Sequence, residues 1–390
     1  MKGLDMLHYR YLLIGGGMAA DSAVRGIRDV DNVGTIGLLS TEADPPYDRP
    51  PLSKSIWLDH EASELDRGTA SLDVSLHLGR RALSLDREER TVTDDAGQVY
   101  RFDRLLLATG GSPRRLPGRD DGVIYYRTLA DYRRLNALCS KPTRVLVVGG
   151  GYIGAELGAA LCLAGHEVHM AFPEATILER LLPPELGEHV NGLYRDNGVT
   201  LHPGRLVSNV QAEPGGGSLV RFENGSELQA GAVVAGLGIL PETALAEAAG
   251  LRVSDGIEVN VYLQTDDPEI FAAGDVASIY SPALGRRRRV EHEENANLTG
   301  FRAGRAMAGE LEEYIHLPMF YSDLFSESFE GVGIVDSRLD ALIEWEEPLA
   351  KGAVHYLEDG LLVGALMWNR WGELDSIREL IGSAGGHRPG

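Results

Sequence analysis

The sequence predicts an α/β fold built around doubly wound parallel sheets. Strand-like and helix-like patterns alternate along the 390-residue chain from residue 8 onward. A glycine-rich loop follows a short apolar run in YLLIGGGMAA, at 11–20, and a second follows in VLVVGGGYIGAE, at 145–156. From about residue 317 the pattern changes to short strand-like runs with aromatic residues and a last helix near 374–383. This change predicts a separate C-terminal α+β domain.

Both glycine loops match the pattern G-x-G-x-x-G/A. The small residues are Gly15, Gly17 and Ala20 in the first copy and Gly149, Gly151 and Gly154 in the second. The first glycine permits a tight turn, the second lets a pyrophosphate approach the backbone, and the third position lets the helix pack on the strand. The helix N-terminus then offers free N–H groups and a positive dipole end to the anion. Two such units predict two Rossmann-like domains, each binding a dinucleotide.

Two shorter stretches complete the organisation. The segment 202–238 alternates in polarity and has turn signals at PGGG and ENGS, which predicts a β-meander inserted after the second nucleotide unit. The end of the chain, GSAGGHRPG at 382–390, has low complexity and is predicted to be disordered.

The composition is that of an ordinary globular protein, with 43% hydrophobic and 24% charged residues. A net charge of −21 argues against a nucleic-acid partner. The two cysteines, Cys139 and Cys162, have neither a CxxC nor a metal-like spacing, which indicates a reducing compartment and no metal site. Since no apolar run approaches the length of a membrane span, we expect a cytoplasmic protein, with a homodimer left open.

One basic run stands out in this acidic chain. Arg286 to Arg289 lie close to Glu291, Glu293 and Glu294. We expect a solvated loop here, and the alternative is a docking patch for an acidic partner.

Two further segments end apolar runs with small residues: LLLATGG at 105–111 and TDDPEIFAAGD at 265–275. With both glycine loops in this order, the sequence resembles the flavoprotein reductases that bind two dinucleotides, and the resemblance spans nearly the whole chain. It implies FAD in the first site and NAD(P)H in the second. The implied domains are an FAD domain at 1–120 and 252–316, an NAD domain at 121–251, and the C-terminal domain at 317–390.

The branch of this family is indicated by four other segments. RPPLSK (49–54) is typical of ferredoxin reductases of oxygenase systems and of apoptosis-inducing factor and its relatives. AFPEATILERLLPPEL (171–186), LGRRRRVEHEENA (284–296) and PMFYSDLFSESFEGVGIVDS (318–337) resemble the second group more. Disulfide reductases of the family place a reactive cysteine beside the flavin, and Lys54 stands about where that cysteine falls. The resemblance therefore implies a reductase without a redox-active cysteine.

The resemblance also implies most of the FAD contacts. They are Ala108, Thr109 and Gly110 of the ATG segment, Arg114 and Asp275. Arg49 and Gly238 are expected to contact a cofactor, without a choice between FAD and NADH. Asp275 would accept a ribityl hydroxyl, and Arg114 would lie near the flavin. Glu42 is the candidate for the FAD ribose, with Asp44 and Asp48 as competitors.

Around the reacting atoms the resemblance implies a second set of residues. Glu291 and His292 precede a helix whose N-terminus would face the flavin pyrimidine ring. Tyr321 stands where a tryptophan commonly lies near the flavin or nicotinamide. Tyr152 either gates the flavin or packs in the interior. Lys54 and Glu156 would meet as an ion pair beside flavin N5.

Glu174 lies 20 residues after Gly154, where the second strand of the second nucleotide unit ends. A carboxylate at this position accepts hydrogen bonds from the adenosine ribose 2′-OH and repels a 2′-phosphate. This favours NADH over NADPH, although Arg180 nearby could hold a phosphate.

Together these features predict an NADH-dependent FAD oxidoreductase that passes electrons to an unidentified acceptor: a ferredoxin, a quinone or oxygen. Two alternatives remain. One is a redox-sensing interaction protein gated by NADH, with slow turnover, as in apoptosis-inducing factor. The other is specifically a ferredoxin reductase of an oxygenase system.

Overall fold

The structure is a computed structural model that describes residues 6–58 and 61–382. Residues 383–390, which make up nearly all of the segment predicted to be disordered, lie outside the described residues. Within the described ranges, no helix combines the length and apolar character that crossing a membrane requires.

The described residues form seven α-helices. They are α1 (Met18–Val30), α2 (Leu129–Leu138), α3 (Tyr152–Leu163), α4 (Pro184–Asp196), α5 (Ala244–Ala248), α6 (Glu293–Met307) and α7 (Leu374–Gly382). The strands of the first part of the chain are β1 (Leu7–Ile14), β2 (Ile36–Ser40), β3 (Val74–Leu78), β4 (Ala82–Asp86), β5 (Thr91–Asp94), β6 (Val99–Leu107), β7 (Gly111–Pro113), β8 (Val123–Tyr125), β9 (Arg144–Val148), β10 (Glu167–Phe172) and β11 (Thr200–Pro203). They continue with β12 (Val207–Ala212), β13 (Ser218–Phe222), β14 (Glu227–Ala230), β15 (Ala232–Ala235), β16 (Ile239–Pro241), β17 (Val253–Ser254), β18 (Gly256–Val259), β19 (Ile270–Ala272), β20 (Ala277–Ser281), β21 (Arg286–Arg289), β22 (Met319–Leu324), β23 (Glu327–Gly333), β24 (Asp340–Glu347), β25 (Lys351–Glu358) and β26 (Leu361–Trp368).

The chain forms two compact units. The first contains the residues up to Asp48, Leu65–Ser112 and Leu240–Met319. The second contains Arg49–Glu64, Pro113–Ile239 and the residues from Phe320 onward. The segment with the RPPLSK motif therefore belongs to the second unit. The three domain ranges given above stay a prediction.

The first unit is built on a sheet with the strand order β3-β2-β1-β6-β5-β4, and β19 also pairs with β6. Strands β1, β2, β3, β6 and β19 run parallel. Leu12 and Leu13, which point to opposite faces of β1, are both fully buried, as expected for a central strand covered on both sides. Ile14 pairs with Leu39 and with Leu107, so the carboxyl ends of β1, β2 and β6 are level.

The second unit repeats this arrangement in a parallel sheet with the order β11-β10-β9-β15-β8. The predicted meander is the antiparallel sheet β12-β13-β14. After residue 318 an antiparallel sheet, β22-β23-β26-β25-β24, is followed by α7, and Trp368 is fully buried there. The predicted fold class, two parallel α/β sheets with a C-terminal α+β part, is confirmed.

Helices α1 and α6 of the first unit pack with their backbones in contact. A Cβ added to Gly300 would lie 2.2 Å from the Ala19 carbonyl oxygen, and one added to Gly304 would lie 2.1 Å from that of Ala23. Only glycine at these two positions allows such an approach. The contact fixes the middle and the C-terminal half of α6 beside the first half of α1, which directly follows the first glycine loop.

The basic run 286–289 is not the solvated loop that we expected. It forms strand β21, which pairs antiparallel with β20. Arg289 forms ion pairs with Asp255 and Glu291, and Arg287 lies 3.9 Å from Glu258. Carboxylates of the same unit thus lie beside two of the four arginines, which reduces the charge that this run can offer to an acidic partner.

Two glycine substitutions test the α1–α6 contact. Gly304→Ala should lower the free energy of unfolding by roughly 1–3 kcal/mol, because the new methyl group overpacks a backbone contact. Gly192→Ala in α4 is the matched control, because a Cβ there meets no described atom within 4 Å. That variant should gain up to about 1 kcal/mol from helix propensity. Thermal unfolding followed by circular dichroism separates the two, and equal melting temperatures would contradict the packing argument.

Candidate functional site

The first glycine loop is locked onto the neighbouring strands by backbone hydrogen bonds. The Gly15 N–H donates to the Leu39 oxygen at 2.8 Å, and the Ala108 N–H donates to the Ile14 oxygen at 2.8 Å. Gly15 has a φ of +122°, and a Cβ on it would lie 2.1 Å from the Ala108 oxygen. Glycine is therefore required here, and the loop brings Ala108 of the ATG segment against Gly15.

The second loop has the same geometry. The Gly149 N–H donates to the Ala171 oxygen at 2.9 Å, and the Gly236 N–H donates to the Val148 oxygen at 2.9 Å. Gly149 has a φ of +112°, and a Cβ on it would lie 2.4 Å from the Gly236 oxygen. The duplication that the sequence pattern indicates is thus present in the backbone of both units.

The helix after each loop begins with glycine in the capping position. Gly17 precedes α1 and Gly151 precedes α3. A glycine has no side chain that could occupy the first-turn N–H groups. A Cβ on Gly151 would meet no described atom within 4 Å, whereas one on Gly154 would lie 2.0 Å from the Gly149 oxygen. The second glycine therefore leaves room for a pyrophosphate, and the third allows close helix–strand packing.

Each unit carries a carboxylate two residues beyond the second strand of its nucleotide fold. Glu42 follows β2 and accepts a hydrogen bond from the Tyr47 hydroxyl at 2.6 Å. Glu174 follows β10 and is partly exposed, at 27% of its side chain. The Arg180 Nε atom lies 4.0 Å from Glu174 Oε1, and the Arg180 side chain is 83% exposed. The two carboxylates occupy equivalent places, which suits an adenosine ribose in each unit.

Asp275 and His292 flank α6 in the first unit. Asp275 follows β19 in a short 3-10 turn, and its carbonyl oxygen accepts from Arg289 Nη1 at 3.2 Å. His292 caps the N-terminus of α6. Burial lowers the pKa of His292 to about 4, so its imidazole is neutral at pH 7. Glu291 accepts from Arg289 at 2.5 Å.

The other predicted cofactor contacts are held by hydrogen bonds within one unit or the other. In the first unit, Thr109 donates to the Glu242 oxygen at 2.7 Å, and the Gly110 oxygen accepts from the Glu242 N–H at 3.0 Å. In the second, the Arg114 N–H donates to the Gly238 oxygen at 2.9 Å. Arg49 is held in the second unit by its bond to the Arg127 oxygen at 3.0 Å. Ala20 is fully buried in α1.

These observations fit both dinucleotides. Each unit presents a glycine loop at the level carboxyl ends of parallel strands, a helix N-terminus and a carboxylate for a ribose. The first unit adds Asp275 and α6 for the rest of FAD, and the second fits NADH.

The second unit also contains the predicted ion pair. Lys54 Nζ lies 3.4 Å from Glu156 Oε1, and both side chains are largely buried, at 17% and 8% exposure. Lys54 lies between two short 3-10 helices, Pro50–Ser53 and Ser55–Trp57. The Leu52 carbonyl oxygen anchors this segment by accepting from Trp57 Nε1 at 3.0 Å and from the Tyr126 hydroxyl at 2.5 Å.

Three polar neighbours of this pair were not predicted from the sequence. The Ser53 hydroxyl donates to Glu156 Oε2 at 2.5 Å, and the Ser322 hydroxyl donates to Glu156 Oε1 at 2.7 Å. Asp323 Oδ2 lies 3.7 Å from Lys54 Nζ. Ser322 is fully buried in β22, where the alternating pattern FYSDLF puts Phe320 and Leu324 inward as well. A serine at an inward position of that pattern was the available signal.

Two aromatic side chains complete this cluster. Lys54 Nζ lies 4.0 Å from the centroid of the Tyr321 ring, a cation–π distance. The Tyr152 ring contacts Phe320 edge-on, with centroids 5.5 Å apart, and Phe329 at 6.4 Å. These contacts favour the packing alternative for Tyr152.

The electrostatics of Glu156 follow from its burial. Burial raises the pKa of Glu156 above its ordinary value, while Lys54, Ser53 and Ser322 act in the opposite direction. The two cysteines, Cys139 and Cys162, are free thiols. Burial raises the pKa of Cys139 to about 11 and also raises the pKa of Cys162, so neither side chain offers a thiolate.

Two family models match most of the chain. Residues 9–300 match the model described as pyridine nucleotide-disulphide oxidoreductase. The chain belongs to this family. Residues 303–348 also match the C-terminal domain described as apoptosis-inducing factor, mitochondrion-associated.

Individual relatives cover nearly all of the chain. The mitochondrial apoptosis-inducing factor 1 of Dictyostelium discoideum is 33% identical over 97% of this chain and 79% of its own length. The ferredoxin–NAD(+) reductase component of the anthranilate 1,2-dioxygenase system of Burkholderia cepacia is 34% identical over 95% and 93%. A crystal structure of the covalent putidaredoxin reductase–putidaredoxin complex superposes with a TM-score of 0.88, at 29% identity over 96% of this chain and 93% of that one.

The predicted identity is therefore confirmed. The protein is an FAD-containing, NADH-dependent oxidoreductase of the two-dinucleotide flavoprotein family. The roles predicted for its individual site residues stay predictions.

Replacing Glu174 tests the cofactor preference. Glu174→Ala should narrow the preference for NADH over NADPH by roughly 1–3 kcal/mol in kcat/KM, because a charge-assisted hydrogen bond to the ribose is lost. Part of the gain with NADPH should disappear in the Glu174→Ala/Arg180→Ala double variant, since Arg180 is then unable to hold the 2′-phosphate. Glu188→Ala, on the exposed side of α4, is the control. Steady-state kinetics with both coenzymes measure the ratio, and an unchanged ratio in Glu174→Ala would contradict the assignment.

Proposed function

We propose that this oxidoreductase passes electrons from NADH to a ferredoxin-type protein, and that Lys54 and Glu156 serve the hydride transfer. The observation that carries the second part is the buried Lys54–Glu156 pair, with its carboxylate held by two serine hydroxyls. Buried ion pairs contribute little to the stability of a fold, since the cost of desolvating both charges offsets most of their attraction. A function explains such a pair better than stability does.

When bound, FAD accepts a hydride from NADH and gives up the two electrons to the acceptor. The chain supplies position and charge. The Lys54 ammonium group stabilises the electron density that arrives with the hydride, and Glu156 holds the ammonium group in place. His292, neutral at the N-terminus of α6, leaves the positive helix end as the stabilising charge there.

The acceptor is proposed from two relatives. The Burkholderia relative is named a ferredoxin reductase component, and the solved structure with a TM-score of 0.88 contains putidaredoxin bound to its reductase. Both free cysteines have raised pKa values, so a dithiol relay is not supported as the route to the acceptor. Quinone and oxygen remain alternatives for the test.

A second function is favoured by the C-terminal match. Residues 303–348 match the C-terminal domain of apoptosis-inducing factor, and the Dictyostelium relative carries that name. In this alternative, NADH controls partner binding or oligomeric state, and electron transfer to an acceptor is slow.

Removing the lysine tests the role of the pair. Lys54→Ala should slow reduction of the bound flavin by NADH on the order of 100-fold, because an electrostatic contact made to the developing charge is lost. FAD content should stay that of the parent. Stopped-flow absorbance measures the rate, and Lys141→Ala, at an exposed position of the same unit, is the control. If Lys54→Ala reacts with NADH like the parent, the proposed role is wrong.

A panel of acceptors separates the functions. After reduction with one equivalent of NADH, the flavin absorbance should recover within seconds on adding a [2Fe–2S] ferredoxin, and more slowly with a quinone or with air alone. Recovery that takes many minutes with every acceptor would support the redox-gated alternative instead. Gel filtration with and without NADH then tests that alternative directly.

A further inference from the structure

Each oxygen of the Glu156 carboxylate has its own hydroxyl donor. Ser53 donates to Oε2 at 2.5 Å and Ser322 donates to Oε1 at 2.7 Å, while Lys54 Nζ lies 3.4 Å from Oε1. The three donors come from two separate segments, the turn around Pro50–Ser53 and strand β22, and they converge on α3. All of them belong to the second unit.

This arrangement matches an ionised carboxylate better than a protonated one. A carboxylate is an acceptor only, so it can receive both hydroxyl protons and the ammonium group at once. A protonated carboxyl group must donate its own proton, and one of the two serines would have to turn away to accept it. Another acceptor for Ser53 is the Pro50 carbonyl oxygen, at a long 3.5 Å. Hydrogen bonds to a charged acceptor are also stronger than those to a neutral one.

Lys54 has a second anionic neighbour that competes for it. Asp323 Oδ2 lies 3.7 Å from Nζ, and the Asp323 side chain is 55% exposed. If Glu156 took up a proton, Asp323 would be the remaining carboxylate near the ammonium group. The ionisation of Glu156 therefore decides whether the Lys54 ammonium group is held by Glu156 or by Asp323.

We propose that Ser53 and Ser322 are positioning residues, which hold Glu156 ionised and directed at Lys54. This inference rests on the proposed function of the Lys54–Glu156 pair in hydride transfer. The two hydroxyl groups offset the burial of Glu156, which by itself favours the protonated carboxyl group.

The other ionisable groups around Glu156 do not replace this effect. Tyr152 and Tyr194 interact electrostatically with Glu156. Burial holds the pKa of both phenols well above the ordinary value. Both phenols are therefore neutral in the working pH range. Lys54 and, beyond it, Asp323 are the charged groups on the other side.

The test is a pH profile of flavin reduction by NADH in the holoenzyme. A rate that needs ionised Glu156 is lost as the pH falls through the pKa of this group. Removing one donor raises that pKa, so Ser322→Ala should lose the rate at a higher pH than the parent, by about one pH unit. At pH values below the pKa of both proteins the Ser322→Ala rate should be about tenfold lower than the parent rate at the same pH, and the two rates should converge at alkaline pH.

Three further variants make the test specific. Ser53→Ala removes the donor to the other oxygen and should shift the profile in the same direction. Ser322→Ala placed in a Glu156→Gln background should add no further shift, because the titrating group is gone. Ser326→Ala, at an exposed position of the turn between β22 and β23, should keep the parent profile. Circular dichroism and FAD absorbance confirm that each variant is folded and loaded.

Infrared difference spectroscopy gives a readout that is independent of turnover. The carbonyl stretch of a protonated carboxyl group should appear at higher pH in Ser322→Ala than in the parent, and it should be missing in Glu156→Gln. An unchanged pH profile and an unchanged infrared titration in both serine variants would overturn the inference, as would a Ser322→Ala effect of equal size in the Glu156→Gln background. If Glu156→Gln itself reacts with NADH like the parent, the proposed function fails, and the infrared titration alone decides the inference.

Discussion

Each nucleotide-binding unit depends on one backbone position where no side chain fits. At Gly15 and Gly149 a Cβ would lie 2.1 Å and 2.4 Å from a carbonyl oxygen of the neighbouring chain segment. Both residues also need a positive φ, which favours glycine over any L side chain. This contact holds the glycine loop against the sheet. The loop in turn keeps three features at the carboxyl edge of the strands: the helix N-terminus, the carboxylate for the ribose and the adjoining small residues. Parallel α/β sheets bind their ligands at that edge.

Each unit has a buried carboxylate, and the two carboxylates differ in the groups that donate hydrogen bonds to them. Asp21, fully buried in the first turn of α1, accepts from Arg25, Arg67 and Thr69. Burial acts to raise the pKa of Asp21, but these donors, two of which are charged, outweigh it and the pKa falls below its ordinary value. Glu156 has one ammonium group and two neutral hydroxyls, and burial prevails there. A carboxylate near this balance responds to small changes in its surroundings, which suits a reactive site more than a structural one.

The family name refers to disulfide chemistry, which this chain has no means to perform. A buried Cys139 and a partly buried Cys162, both with raised pKa values, stay protonated thiols. Because these two cysteines offer no thiolate relay, the proposed route passes electrons from bound FAD directly to the acceptor. In the basic run 286–289, the carboxylates beside Arg287 and Arg289 reduce the charge that is left for an acidic partner.

The local sequence by itself determined the features that depend on short backbone motifs. The two glycine loops, the alternation of strands and helices, helix α6 at 293–307 and the carboxylates Glu42 and Glu174 all follow from short-range constraints on φ, burial and spacing. The Lys54–Glu156 pair was also predicted, but only through a resemblance between motifs that are 102 residues apart.

The tertiary structure decided which side chains from distant segments converge. Ser322 lies 166 residues from Glu156 and donates to it, and Asp323 lies beside Lys54, because β22 packs against the turn and α3. Backbone pairing with β20 likewise made the basic run 286–289 a strand, where its composition indicated a solvated loop. Such contacts depend on how sheets and turns pack. The alternation in β22 indicates that Ser322 points inward, but it does not indicate that Glu156 is its partner.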